Sequence, residues 1–282
     1  MKICHTIDEM RGVRRAARRD VKTVGLVPTM GALHEGHISL VRAAKAQCDL
    51  VVVSIFVNPL QFGPKEDLAK YPRDFDRDRE LLNQHGVDVI FAPSVEEMYP
   101  AGAVTCVTVE GLSDKLCGRS RPGHFRGVTT VVSKLFNIVE PDRAFFGQKD
   151  AAQSTIIARM VRDLNLPLQV VVCPIVREPD GLAMSSRNAY LDAPRRKSAL
   201  VLQRSLLEVQ DRFGQGERKV HALIEAGKQV FAQEPSVKLD YFEIVDPGTL
   251  EPVNDFSRPV LVAVAAFVGK ARLIDNVVLE PA

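Results

Sequence analysis

The sequence has no excess of charge of either sign: 37 Lys and Arg residues face 35 Asp and Glu, for a net charge of +2. A field that weak excludes whole-molecule attraction to nucleic acid or to an anionic membrane surface, so any anion site has to be local. Long apolar runs are missing too. The longest, Val260 to Val268, has nine residues, about half of the ~18 at which a membrane-spanning helix is suspected. The residues from Met1 to Glu9 reach acidic side chains before any apolar stretch forms, which argues against a secretory leader and makes the cytoplasm the expected compartment. Cysteine is sparse. Cys4, Cys48, Cys106, Cys117 and Cys173 are odd in number and form no C-x-x-C pair, so they read as reduced thiols rather than a disulfide framework or zinc knuckle. Neither common phosphate loop, G-x-x-x-x-G-K-[ST] or G-x-G-x-x-G, occurs. With 46% hydrophobic and 26% charged residues over 282 positions, disorder is a poor reading and one large or two ordinary domains are expected.

What is present is an alternation of strand-like and helical patterns from Val24 to about Pro174. Val24 to Thr29 reads as a strand, His37 to Cys48 as a helix with Ile38, Leu40, Val41, Ala44 and Cys48 at helical spacing, and Leu50 to Val57 as a near-continuous apolar strand. Such continuous strands are buried on both faces in parallel sheets. The pattern continues with a charged helix at Phe75 to His85, strands at Val87 to Phe91 and Val104 to Val109, and a helix at Arg126 to Val139. A strand at Arg143 to Phe146, a helix at Ala151 to Asn165 and a strand at Leu168 to Val172 complete it. This rhythm predicts an α/β fold with a Rossmann-like, mostly parallel sheet and helices on both faces. After Pro174 come a loop, two helices (about Pro194 to Phe213 and Glu217 to Phe231) and strands at Leu239 to Val245, Val260 to Val268 and Leu273 to Leu279. That grouping predicts a smaller C-terminal α+β domain over residues 176–282, a lid on the larger domain of residues 1–175.

Ligands of open α/β sheets bind beyond the carboxyl ends of the strands, so the segments that follow strands are where chemistry is sought. Directly after the first predicted strand runs Pro28-Thr29-Met30-Gly31-Ala32-Leu33-His34-Glu35-Gly36-His37, a loop entering a helix. A helix N-terminus offers free N–H groups to phosphate, Gly36 allows close backbone approach, and the imidazoles of His34 and His37 add donors. A surface turn with two incidental histidines is the plain alternative. A catalytic zinc is disfavoured, because Ile38 stands where H-E-x-x-H needs its second histidine. Asn58 and Gln61, after the next strand, carry neutral amides suited to a small polar organic acid, or simply occupy a Pro/Gly turn. Gly147-Gln148-Lys149-Asp150 again joins a strand to a helix start. A cation at Lys149 is awkward there unless an anion is bound nearby, and Gln153 could face the same cleft. The turn at Pro179-Asp180-Gly181, followed by Ser185, Ser186 and Arg187, is a mobile loop with donors for phosphate oxygens or else an interdomain linker. Arg11 to Arg19 and the mixed-sign run Arg73 to Glu80 read as solvated helix faces. Arg119 to Gly127 either binds an anion or caps the helix that follows.

Four motifs in order, Pro28 to His37, Phe56-Val57-Asn58-Pro59-Leu60-Gln61-Phe62, Phe146-Gly147-Gln148-Lys149-Asp150 and Gly181-Leu182-Ala183-Met184-Ser185-Ser186-Arg187-Asn188, closely resemble the pantoate–β-alanine ligase family over essentially the whole chain. His34-Glu35-Gly36-His37 is similar to the H-x-G-H signature of the nucleotidyltransferase superfamily that includes class I aminoacyl-tRNA synthetases. Met184 to Arg187 occupies the place of their mobile K-M-S-K-S loop. Gln148 and Ala152 depart from the family pattern, which often carries Glu and Gln there.

The resemblance implies ATP-dependent condensation of (R)-pantoate with β-alanine to pantothenate, AMP and pyrophosphate through a pantoyl adenylate, in a cytoplasmic homodimer with no nucleic-acid or membrane partner. It implies ATP at Met30 to His37, Gly147 to Asp150, Val176 and Met184 to Arg187, with His34, His37 and Lys149 catalytic. Pantoate falls to Gln61 and Gln153, and Gln61 also helps place β-alanine. Mg2+ accompanies the triphosphate, with no metal ligand expected from the protein. Pantoate's own carboxylate can attack the α-phosphate, so catalysis reduces to positioning and to neutralising the leaving pyrophosphate, with charge and donors from His34, His37, Lys149, Ser185, Ser186 and Arg187. A nucleotidyltransferase making a dinucleotide or CDP-alcohol would share H-x-G-H without needing an amine acceptor. An RNA-binding synthetase-like module would need a basic groove that the balanced charge does not supply.

Overall fold

A computed structural model describes residues 1–64, 66 and 68–281. The larger sheet has six strands, all parallel, in the order β1 (Lys2–Cys4), β4 (Val89–Phe91), β3 (Leu50–Ile55), β2 (Val24–Thr29), β5 (Arg143–Gly147) and β6 (Gln169–Cys173). Helices α1 (Ile7–Arg19), α2 (Glu35–Lys45), α3 (Phe75–Gln84), α4 (Val95–Met98), α5 (Cys117–Ser120), α6 (His124–Val139) and α7 (Ala151–Asp163) fill the connections. The continuous apolar strands have the expected cause: Leu26 and Val52 pack into the layer of α1, α6 and α7, and Val27, Val51 and Val53 into the layer of α2 on the other face. From β2 the chain crosses to β3 on one side, while β5 lies on the other. That reversal of strand order opens a crevice at the carboxyl ends of β2 and β5.

Three details differ from the sequence expectation. Val104 to Val109 forms no strand. At Val107 a helix takes the place of a neighbouring strand, the Val107 N–H donating to Thr130 Oγ1 (3.0 Å) and Thr129 Oγ1 donating to the Val107 carbonyl (2.6 Å). Val107 and Val109 still pack on the core, so the apolar alternation reports one-sided burial without strand pairing. The helix expected at Pro194 to Phe213 is broken at Leu200 into α8 (Ala193–Ala199) and α9 (Val201–Gly214). The halves answer to different anchors: Arg196 of α8 pairs with Glu178 and Asp180, while α9 buries Leu202, Leu206 and Val209 in the small core. Strand β1 is too short to leave a sequence pattern.

The smaller sheet is antiparallel, β7 (Val237–Val245), β8 (Val260–Val268) and β9 (Ala271–Leu279), joined to α9 and α10 (Val220–Ala232). Strand β8 is apolar throughout because it serves two cores. Val260, Val262, Val264, Ala266 and Val268 pack with α9 and α10, whereas Leu261, Ala263 and Ala265 join the cluster that holds Phe125 and Ile156 of the larger layer. Among the described residues no helix is long and apolar enough to cross a membrane.

Candidate active site

The loop leaving β2 turns through two left-handed residues, Gly31 (φ +81°) and Ala32 (φ +52°). It is pinned by Asp78 of α3, whose carboxylate accepts from the backbone N–H groups of Ala32 and Leu33 at 2.8 Å each. This corrects the reading of Arg73 to Glu80 as wholly solvated: Asp78 is 1% exposed. Burial pushes its carboxyl up, against the pull of the two donors.

The loop ends at His34, the N-cap of α2. Its Nδ1 accepts from the Gly36 N–H (3.1 Å), and His37 Nδ1 accepts from the His34 N–H (3.3 Å). A neutral imidazole with Nδ1 accepting carries its proton on Nε2, so the backbone assigns both tautomers. A Cβ on Gly36 would stand 2.9 Å from the His34 ring, so glycine is required there by the histidine itself. Burial, with the Lys149 charge second, lowers His34 to about 4. Burial, then His34, lowers His37 to about 3. The donors that the sequence offered at His34 and His37 are thus uncharged ones. In the free protein they are neutral N–H donors.

Charge comes from the opposite wall. Lys149 and Asp150 form a short turn between β5 and α7, their charged ends 3.6 Å apart. Burial would raise the Asp150 carboxyl, but Lys149, Arg187 and His124 outweigh it and hold it low. A Cβ on Gly147 would meet nothing within 4 Å, and its φ of −86° is open to any residue. Protein packing does not demand a glycine here, whereas a ligand lying close to the backbone would. Arg187 arrives on the segment after Met184, where Ser185 Oγ accepts from the Arg187 N–H (3.3 Å) and Ser186 Oγ lies 3.3 Å from the Tyr71 hydroxyl.

At the third side stands Gln61. Asn58 does not face the cleft freely. It is 1% exposed, donates to Gln61 Oε1 (3.2 Å) and to the Gly127 carbonyl (3.0 Å), and accepts from the Tyr99 hydroxyl (2.9 Å). The undecided segment Arg119 to Gly127 proves to hold Gln61 from behind. Arg121 binds Glu66 through Nε (2.7 Å) and Nη2 (2.6 Å), and its Nη1 lies 2.9 Å from His124 Nε2. A guanidinium can only donate, so His124 Nε2 accepts and its Nδ1–H donates to the Gln61 carbonyl at 2.8 Å. Burial, then Arg121, lowers His124 to about 4. The cations and histidine in that stretch were its sequence signal; the chain-distant partner Glu66 was not visible.

These groups line one cleft of about 230 Å³. Met30, His34, Gly36, His37, Gln61, Gly147, Lys149, Asp150, Gln153, Val176, Met184, Ser185, Ser186 and Arg187 of the expected residues meet there. Gly31, Ala32, Leu33, Glu35 and Gln148 do not line it. The N–H groups of Ala32 and Leu33 are taken by Asp78, Leu33 is 1% exposed in the core, Glu35 pairs with Arg42, and Gln148 turns to Asn276.

Fold and cleft together define a class: a Rossmann-like α/β enzyme whose phosphate-ready donors and neutral amides share one small-molecule site at the switch point of the sheet. Within that class the chain belongs to the pantoate-beta-alanine ligase family, whose family model matches residues 2–278. It is 61% identical over 282 residues to the pantothenate synthetase of Koribacter versatilis (strain Ellin345), covering 100% of this chain and 97% of that relative. The crystal structure of pantothenate synthetase from Thermus thermophilus superposes with a TM-score of 0.95 at 48% identity, covering 100% of both chains. A pantoate-beta-alanine ligase from Francisella tularensis, solved as a complex with beta-gamma ATP and beta-alanine, superposes with a TM-score of 0.76 at 33% identity, covering 98% of this chain and 97% of that one.

Proposed function

We propose that the chain condenses (R)-pantoate with β-alanine in two steps that share the cleft. In the first, a pantoate carboxylate oxygen attacks the α-phosphorus of ATP, forming the acyl–phosphate bond of pantoyl adenylate as the bond to pyrophosphate breaks. In the second, the amine of β-alanine attacks the acyl carbon and loses a proton, the amide of pantothenate forms, and AMP leaves. No protein nucleophile enters either step.

The observation that carries this reading is the meeting of two chemistries in one volume. His34 and His37 Nε2, Lys149, Ser185, Ser186 and Arg187 offer donors and charge to a polyphosphate, while the carboxamides of Gln61 and Gln153 line the same space. Lys149 and Arg187 offset charge as pyrophosphate leaves, and the two imidazoles donate to phosphate oxygens. Gln61 and Gln153 hold pantoate, with Gln61 shared by β-alanine. ATP lies along Met30, His34, Gly36 and His37 on one side, Gly147, Lys149 and Asp150 on the other, and the backbone at Val176. Residues 176–282 form the smaller domain, which covers the cleft held by residues 1–175.

Mg2+ fits as an ion carried by the nucleotide. Among the described residues no group of three or more His, Cys, Asp or Glu is placed to hold a metal, and the carboxylate of the cleft is Asp150. Such a donor set suits an ion bound mostly by phosphate and water oxygens, where it would offset phosphate charge.

The test is pantoate-dependent exchange of labelled pyrophosphate into ATP, alongside AMP release. Exchange with pantoate alone, and AMP turnover only when β-alanine is added, is the expected result. AMP formation that needs β-alanine with no exchange in its absence would overturn the adenylate.

A further inference from the structure

Two adjacent residues of β9, the edge strand of the small sheet, anchor both loops that bring cations to the cleft. Asn276 is 3% exposed. Its Nδ2 donates to the carbonyls of Gln148 (2.9 Å) and Lys149 (3.0 Å), and its Oδ1 accepts from Gln148 Nε2 (3.3 Å). Those two carbonyls belong to the peptide planes on either side of the Lys149 Cα. Because peptide units are planar and rigid, holding both fixes the Lys149 backbone angles and thus the direction in which its side chain leaves. Next to it Asp275, its side chain 2% exposed, grips the Arg177 guanidinium through both oxygens at 2.7 and 3.0 Å. Arg177 stands at the neck of the hairpin that delivers Met184 to Arg187: its backbone bridges Ala183, and the Met184 N–H donates to the Val176 carbonyl at 3.0 Å. The Asn276 N–H donates to Asp275 Oδ1 at 2.8 Å, which ties the two anchors together.

An anchor between sheets needs only apolar contact, which Leu261, Ala263 and Ala265 already supply. The placement of both amide donors on the carbonyls flanking one lysine is more specific than that. We propose that Asn276 is a positioning residue for adenylate formation, aiming the Lys149 ammonium at the departing pyrophosphate. The proposal rests on the reading that Lys149 meets the phosphates.

The experiment is a double-mutant cycle in pantoate-dependent ATP–pyrophosphate exchange with Asn276→Ala, Lys149→Ala and the pair. Asn276→Ala is expected to lower the exchange kcat by at least about tenfold, as small misplacements of a catalytic group do, with the KM for pantoate changed less than about twofold. On the Lys149→Ala background it should cost less than about twofold more, since a residue that acts through Lys149 has nothing left to aim. A full additional loss on that background, or an exchange kcat within about twofold of wild type in Asn276→Ala, would overturn the proposal. An undiminished exchange in Lys149→Ala would instead sink the underlying reading of the site, and the proposal with it. Gln148→Ala removes one of the three bonds without opening the core. It carries the same two criteria at about threefold should Asn276→Ala not fold.

Discussion

The two walls of the cleft face one volume but are built by opposite means. On the β2 wall, donors are uncharged and fixed locally: Gly36 feeds His34, His34 feeds His37, and both imidazoles are held in their tautomers by backbone within three residues. On the β5 wall the groups are charged, and they are held from far along the chain, Lys149 by Asn276 and the Arg187 segment through Arg177 by Asp275. A buried neutral imidazole keeps its aim without needing a counter-charge, whereas the Lys149 ammonium has the Asp150 carboxylate 3.6 Å away. The first wall is therefore set by the backbone of its own turn, and the second by an ion pair and by anchors on a distant strand.

The largest effect expected from this contrast is on the charged wall. Lys149→Ala should lower the kcat of pantoate-dependent exchange by roughly a thousandfold, in the range set by cations that stabilise phosphoryl-transfer charge. His37→Ala removes a neutral donor and should cost on the order of a hundredfold in the same assay. If the histidine variant lost more than the lysine variant, the division of labour between the walls would be broken. Gln61→Ala, on neither wall, should raise the KM for pantoate by about tenfold and leave that for ATP within about twofold, the scale of one or two lost hydrogen bonds. Equal rises for both substrates would displace Gln61 from the pantoate end.

Much of the β2 wall was legible in the sequence, because its partners are neighbours: the H-x-G-H spacing already sets the cap, the glycine and the second imidazole. Its protonation was not legible, since burial is a property of the packed molecule and the motif alone shows two imidazole donors without saying whether they carry charge. The β5 wall showed only its tips. Lys149 and Arg187 stood out at a helix start and beside a Pro-Asp-Gly turn, but nothing in the sequence links them to Asn276 and Asp275, and Asp78 was hidden in a run of mixed charge that looked solvent-facing. The alternating apolar residues of Val104 to Val109 failed differently. Alternation records one buried side, and two threonines of α6 took the role that a neighbouring strand was expected to fill.

Two smaller effects sharpen the same contrast through stability. Asp78→Asn turns part of an acceptor into a donor facing two backbone N–H groups, so a loss of about 1–3 kcal/mol is expected in chemical denaturation. The Ala32 and Leu33 turn that carries the β2 wall should loosen with it. His34, His37 and His124 have folded values near 4, 3 and 4 against an ordinary 6.5. Below 6.5 the unfolded chain thus binds protons that the folded one refuses. Stability from these groups is complete above pH 6.5 and is lost as pH falls through about 4 for His34 and His124 and about 3 for His37. A thermal midpoint that stayed level across that window would contradict the neutral tautomers.

Strand β8 has one more consequence. Because Leu261, Ala263 and Ala265 are shared with the core of Phe125 and Ile156, while their neighbours seal the core of α9 and α10, neither piece of the chain has a finished surface of its own. A protease nick in the 176–188 segment should therefore leave two polypeptides that stay together through gel filtration. Residues 1–175 and 176–282 expressed separately should each be poorly soluble and regain activity when refolded as a mixture, the behaviour of a split protein whose halves are each other's solvent.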